Sequence, residues 1–291
     1  MLLWILLGIL AAGVACVAYG VLIERRWYRL ARYRVDILPA GWRRGLEVLH
    51  LSDLHFVKRD GKKERFLARL PTADITVVTG DFLAEPAAVE TAVAALRPVR
   101  GRVASYFVLG SNDYYVPRPL NYVRYFRRRP ARRKGTRGRA GELVALLEAD
   151  GWKHLENQRS DVPLDGSSVE VVGIDDPHIH RPDLRAAPRS SNGFGLAIVH
   201  SPDPAPELVA LGYDLVVAGH THGGQVRMPL VGALVNNCAL PRWMSMGLIR
   251  IGPSYMHVSP GLGTSKYAPF RFLCRPEATL LDLRPSRPLD R

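Results

Sequence analysis

The sequence predicts an α/β protein of layered strands and helices, and three observations carry that prediction. Short apolar runs at 46–51, 75–79 and 106–109 are too brief for helices, and each ends in a glycine or a polar turn, as buried strands do. Between them, segments 62–70 and 87–96 place apolar residues at helical spacing. A second series of strand-like runs follows at 169–174, 196–199 and 215–218, with a short helix expected over 204–211. More strands are expected at 248–251, 255–258 and 279–283. The 291 residues, 47% of them hydrophobic, suffice for one large domain or at most two small ones.

The N-terminus has a different character. Residues 2–23 carry no charged side chain. As a helix they would be about 33 Å long, enough to cross the hydrocarbon core of a bilayer. A cleaved signal peptide would want basic residues before the apolar run, and none are there. Arg25, Arg26, Arg29, Arg32 and Arg34 follow it instead, which places the larger part of the chain in the cytoplasm. Residues 1–24 are therefore read as a single-pass transmembrane anchor and 25–45 as a basic juxtamembrane linker. The three cysteines, Cys16, Cys238 and Cys274, show no metal-type spacing, and a reducing compartment is the simpler assumption.

The formal charge of +13 asks for an anionic partner: nucleic acid, a phosphate-rich substrate or acidic lipid. The basic character peaks over 118–139, where ten Lys or Arg residues meet no acidic one and are interleaved with Tyr122, Tyr125 and Phe126. Such a run is either a solvated loop or an arm on an anionic surface, with an acidic leaflet the nearest candidate for a tethered chain.

Chemistry enters where the expected strands end. Asp53 and His55 follow the first run, Asp81 the second, and Asn112 with Asp113 the third. His200 ends the run 196–199, and His220 and His222, in Gly-His-Thr-His-Gly-Gly-Gln, follow 215–218. Taken singly, a histidine after a strand is a structural residue and Gly-Asp is a good turn. Five strand ends that all bring oxygen or imidazole donors are a different matter, because loops converge at that edge of a layered sheet. Carboxylate, imidazole and amide donors without thiolate suit Mn, Fe or Zn. They outnumber the four ligands of one tetrahedral ion, which points to two divalent metal ions. Two such ions can share a carboxylate and a hydroxide for in-line displacement at phosphorus.

These motifs, in this order, resemble the calcineurin-like metallophosphoesterase family. They are most similar to its bacterial membrane-associated branch, the YkuE-like and YaeI-like phosphodiesterases. The resemblance covers residues 46–283 and implies a four-layer α/β/β/α sandwich with a domain over 46–285, followed by a tail at 286–291. It further implies that Asp53, His55 and His222 hold one metal, that Asp81 bridges, and that His200, His220 and an amide hold the other. The family motif Gly-Asn-His-Asp/Glu is replaced here by Gly110-Ser111-Asn112-Asp113. Aligned without a gap, Ser111 stands at the ligand position and Asn112 at the catalytic histidine. We expect Asn112 to be the ligand, since a neutral hydroxyl is the poorer donor.

The expected activity is hydrolysis of a phosphodiester or pyrophosphate, with Asp81, Asn112, Asp113 and His178 as the catalytic set. His178 and His180, in Asp-Asp-Pro-His-Ile-His, either approach the site to bind or protonate substrate or sit on a surface turn. His50 and His154 are expected to be structural. A phospholipid or lipid-linked nucleotide at the membrane is the expected substrate class. Two alternatives stand beside it: a nuclease whose basic arm tracks single strands, which we rank lower, and a non-catalytic membrane scaffold.

Overall fold

The computed structural model describes residues 1–117, 135–164, 166–179, 181–190 and 193–286. Helix α1 (Leu2–Ala18) continues through a π-helical turn (Tyr19–Ile23) and a 3-10 turn (Glu24–Arg26). The chain then forms β1 (Arg29–Leu38), β2 (Leu46–Leu51), α2 (Gly61–Leu67), β3 (Ile75–Thr79), α3 (Val89–Leu96), β4 (Ala104–Val108) and α4 (Ser111–Tyr114). Next come α5 (Ala140–Ala149), β5 (Lys153–His154), β6 (Gln158–Leu164), β7 (Ser167–Ile174), β8 (Phe194–Val199), α6 (Ala205–Ala210) and β9 (Leu215–Ala218). The last elements are β10 (Arg227–Met228), β11 (Gly232–Ala233), β12 (Gly247–Ile251), β13 (Ser254–Val258) and β14 (Glu277–Pro285).

Two six-stranded sheets result, ordered β1-β14-β2-β3-β4-β5 and β12-β13-β9-β8-β7-β6. Strands β2 to β5 are parallel, as are β7, β8, β9 and β13. The apolar runs are continuous because both faces of each sheet are covered, and successive residues point to opposite sides. Val48 and Val77 join a core with Val171, Leu196, Ile198 and Val217 of the other sheet. Their neighbours Leu49 and Val78 face the helix-side core with Val89, Leu96, Leu143 and Leu147. On the far side, Val172, Ala197 and Val216 pack with Leu208 of α6. The four-layer sandwich is therefore present, and each buried Leu or Val contributes on the order of 1.5–3 kcal/mol.

The stretch 25–45 is not simply a linker. Its β1 pairs in parallel with β14, from Arg29 opposite Glu277 to Asp36 opposite Arg284. Charge masked a period-2 pattern: Arg32, Arg34 and Asp36 are exposed while Val35 between them is buried, as suits an edge strand. Helix α5 and strands β5 and β6 are likewise additions to the elements expected. Of the basic segment 118–139, residues 118–134 lie outside the described residues, as does His180.

Helix α1 buries none of its own residues, and the apolar helical run Leu2–Arg26 is long enough to cross a membrane. Its C-terminal end is docked. The Gly20 backbone lies so close to the Phe270 ring and the Arg271 carbonyl that a Cβ would overlap both. The buried Glu24 carboxylate accepts from the Leu273 N–H at 2.9 Å and from the Cys274 N–H. Across the sandwich interior, His50 of β2 meets His257 of β13, with their Nδ1 atoms 2.8 Å apart.

Candidate active site

Parallel pairing brings the C-terminal ends of β2, β3 and β4 to one edge, and those of β8 and β9 to the facing edge. The loops are tied to each other there: Asp53 N–H donates to Gly80 O (3.0 Å), His55 N–H to Asp81 O (2.9 Å) and Gly219 N–H to His200 O (2.9 Å). Asp53, His55, Asp81, His220 and His222 all adopt positive φ, between 43° and 67°. Side chains with a Cβ disfavour that region at a cost of about 1–3 kcal/mol each, and such strain gathers at functional sites. Gly80, at φ +82°, keeps the crossing open: a Cβ there would lie 2.6 Å from Gly110 N and 2.7 Å from His200 Nδ1.

Two groups of side chains result whose donor atoms lie within 4.8 Å of one another: Asp53, His55 and His222, and Asp53, Asp81 and His200. Asp81 stands between them. Its Oδ2 is 3.6 Å from His55 Nε2 and its Oδ1 is 3.6 Å from His200 Nε2. His222 Nε2 lies 3.5 Å from Asp53 Oδ1, and His220 Nδ1 lies 3.1 Å from His200 Nε2. Second partners orient several of these groups. Ser52 Oγ (2.7 Å) and His220 N–H (2.8 Å) donate to Asp53 Oδ2, and His200 Nδ1 contacts Thr79 O at 2.7 Å. Asp53 Oδ1 is buried with no hydrogen-bond partner among the described residues, as is the ring nitrogen His55 Nδ1. An orphaned buried carboxylate oxygen among converging imidazoles is what a cation site requires.

The electrostatics agree. Burial pushes the His55 pKa down to about 4, and burial with Arg271 pushes His222 down to about 3, so both rings are neutral and able to ligate. Burial also opposes charge on His200, but Asp81, Asp176 and Asp53 together outweigh it and raise the pKa to about 9. Burial raises the pKa of Asp53, and burial with the nearby Asp81 brings Asp113 up to about 8. Crowded carboxylates held out of water favour a compensating positive charge.

Residues 46–224 match the calcineurin-like phosphoesterase family. The chain belongs to that family. It is 25% identical to the uncharacterized metallophosphoesterase YkuE of Bacillus subtilis, over 95% of this chain and 94% of that one. Phosphodiesterase YaeI of Escherichia coli is 26% identical over 89% and 90% of the two chains. The UDP-2,3-diacylglucosamine pyrophosphatase LpxG of Chlamydia trachomatis is 27% identical over 76% and 77%. The protein is thus a phosphoester hydrolase of a family that uses a dinuclear metal centre.

In this phosphoesterase the altered third motif does reach the site. The Asn112 backbone N–H donates to Asp81 Oδ1 at 2.9 Å, and its side-chain amide donates to Asp81 Oδ2 at 2.5 Å. Ser111 is the more buried of the two. Asp113 accepts from Gly110 N–H (3.0 Å) and Leu83 N–H (3.1 Å), so it holds the loop in place. His178 is not merely on a turn. Its ring packs edge-on against His220 with centroids 3.8 Å apart, and its Nε2 lies 2.8 Å from Asn237 O. His50 and His154 lie away from the cluster, against His257 and Phe107 respectively.

Residue-type reasoning missed three contributors. The Asn237 carbonyl touches both His178 and His220 Nε2 (3.3 Å). The loop Gly261–Gly263 closes over Asp53, with Gly263 N–H donating to Asp53 O at 2.6 Å. Arg271 is fully buried, donates to the carbonyls of Pro260 (2.7 Å) and Gly263 (2.6 Å), and lies 3.5 Å from His222 Nδ1. The one available signal was an arginine flanked by Phe270 and Phe272, which nothing tied to the histidines.

Proposed function

We propose that this phosphoesterase is a membrane-tethered hydrolase of a phosphodiester or pyrophosphate, with a lipid-linked phosphoester as substrate. The observation that carries the reading is the placement of Asp81, whose two oxygens each face a histidine from a different donor group. A carboxylate so placed would be able to serve two divalent ions, Mn, Fe or Zn. Asp53, His55 and His222 would hold one ion; His200, His220 and Asn112 would hold the other. When bound, the ions activate water and neutralise the phosphoryl oxygens.

The chain's own residues supply the rest. Asn112, whose amide contacts Asp81, would offer its amide oxygen to the second ion. Asp113 fixes the loop that carries it. His178, on the His220 side, is the available proton donor for the leaving oxygen, because Asn112 has no ionisable proton. Arg271 supports His222 and keeps the loop Gly261–Gly263 over Asp53. Support for a lipid-linked substrate comes from the docked apolar helix and from LpxG, whose name specifies a lipid-bearing pyrophosphate. Asp81→Asn should abolish Mn-dependent hydrolysis of bis(p-nitrophenyl) phosphate while leaving the thermal transition of the metal-free protein in place. Wild-type turnover in that variant, with two metals still bound, would exclude Asp81 as the carboxylate that the two ions share.

A further inference from the structure

A cleft of about 340 Å³ opens beside His55 and extends to the foot of the apolar helix. Six cationic side chains line it, Arg25, Arg26, Arg59, Lys62, Lys63 and Lys266, against the single carboxylate of Asp60. Two of the six are internally satisfied: Lys63 pairs with Asp60 at 2.7 Å, and Lys266 pairs with Glu85 at 3.2 Å. Arg26, Arg59 and Lys62 make no hydrogen bond or ion pair among the described residues. The Nε of Arg25 is buried there without a partner. A guanidinium whose nitrogen lacks an acceptor favours an anion placed against the group.

The position of the cleft is as telling as its charge. One wall is the 3-10 turn Glu24–Arg26, the direct continuation of the apolar helix. Glu24 and Gly20 lock that turn to residues 270–274, which also support His222. The far end of the cleft is His55, a member of the Asp53–His55–His222 donor group. An anionic group held at the helix foot therefore shares one cleft with His55. Resting on the proposed phosphoesterase reading, we infer that this cleft is a second-phosphate subsite for a substrate embedded in the bilayer. Arg25, Arg26, Arg59 and Lys62 would grip a non-reacting phosphate, while the scissile phosphoester lies on the His55 side.

Binding of inorganic pyrophosphate to the full-length protein, freed of metal with EDTA and held in phosphatidylcholine nanodiscs, tests the subsite apart from hydrolysis. Saturable binding is expected, weakened at least tenfold in Arg59→Glu/Lys62→Glu and also in the milder Arg59→Ala/Lys62→Ala. Both positions are exposed, so neither variant threatens the core. No saturable binding, or equal affinity in both variants, would overturn the proposal. Replacing part of the disc lipid by diacylglycerol pyrophosphate should weaken apparent pyrophosphate affinity at least tenfold through competition. Undiminished affinity there would show a soluble rather than a lipid source and overturn the membrane route. If the binding pattern holds but no phosphodiester is turned over with metal present, the functional reading fails and the anion subsite stands.

Discussion

Asn112, which the ungapped family resemblance would set at the catalytic histidine, is an amide, and the consequences are chemical. A proton donor near the leaving oxygen contributes about 10²–10⁴-fold, most where the leaving group is poor. If His178 supplies that proton, His178→Ala should lower turnover of alkyl esters by about 10²-fold and of nitrophenyl esters far less. A plot of rate against leaving-group pKa would show it as a steeper slope, and an unchanged slope would remove His178 from the reaction. The ligand question is separate. Asn112→Ala should lower occupancy at the His200 side by metal analysis, whereas Ser111→Ala should matter little, because Asn112 meets Asp81 through both its backbone N–H and its side-chain amide. On the proposed reading, metal ligation would depend on backbone strain as well as on side chains, since five of the seven expected ligand residues hold positive φ.

Elements couple to the site through two buried polar contacts that no motif announces. Glu24, at the end of the apolar helix, accepts from the N–H groups of Leu273 and Cys274. Glu24→Ala would leave those donors unsatisfied and cost about 1–3 kcal/mol. We expect a lower thermal midpoint together with weaker metal binding, since Arg271 beside this turn also braces His222. A fall in stability alone would separate the helix from the site. The second contact joins the sheets. Burial and the facing His257 hold the His50 pKa well below its usual value, and burial brings His257 down to about 3. The unfolded chain binds protons near pH 6.5 while the folded rings do not, so stability is lost as pH falls below 6.5. Each ring contributes up to about 1.4 kcal/mol per pH unit over that window. His257→Gln should therefore flatten the dependence of unfolding free energy between pH 6.5 and 5 by about one proton, as denaturant titrations at each pH would reveal.

For the molecule as a whole, orientation is the property with most leverage on substrate. On the proposed membrane-tethered reading, the five arginines that cluster at the end of the apolar run, Arg25, Arg26, Arg29, Arg32 and Arg34, would by the positive-inside rule face the sandwich to the cytoplasm. A C-terminal alkaline phosphatase fusion should be inactive and a fluorescent-protein fusion bright. An active phosphatase fusion would put the site on the other side of the membrane and change the pool of lipid phosphoesters it meets. Because β1 is stitched to β14, the sandwich begins within a few residues of the helix, which keeps the basic cleft close to the end of the apolar run.

The strands that carry the site were legible because parallel strands covered on both faces read as unbroken apolar runs, and their ends stood out as Asp, His and Asn. Runs 46–51, 75–79 and 215–218 coincide with β2, β3 and β9 to the residue. The donor types, with thiolate absent, could be read there as well. Strand β1 was hidden, since an edge strand is exposed on one side and its alternating arginines look like a solvated linker. The two-residue β5 lacks the length to show a period at all. Only the tertiary structure could bring His178 against His220, set Arg271 under His222, and join the foot of the apolar helix to the cleft beside His55. Those contacts link residues tens to hundreds of positions apart, and periodicity reports only on a residue's near neighbours. Composition fixed what chemistry was available; the crossing of the two sheets decided which groups share it.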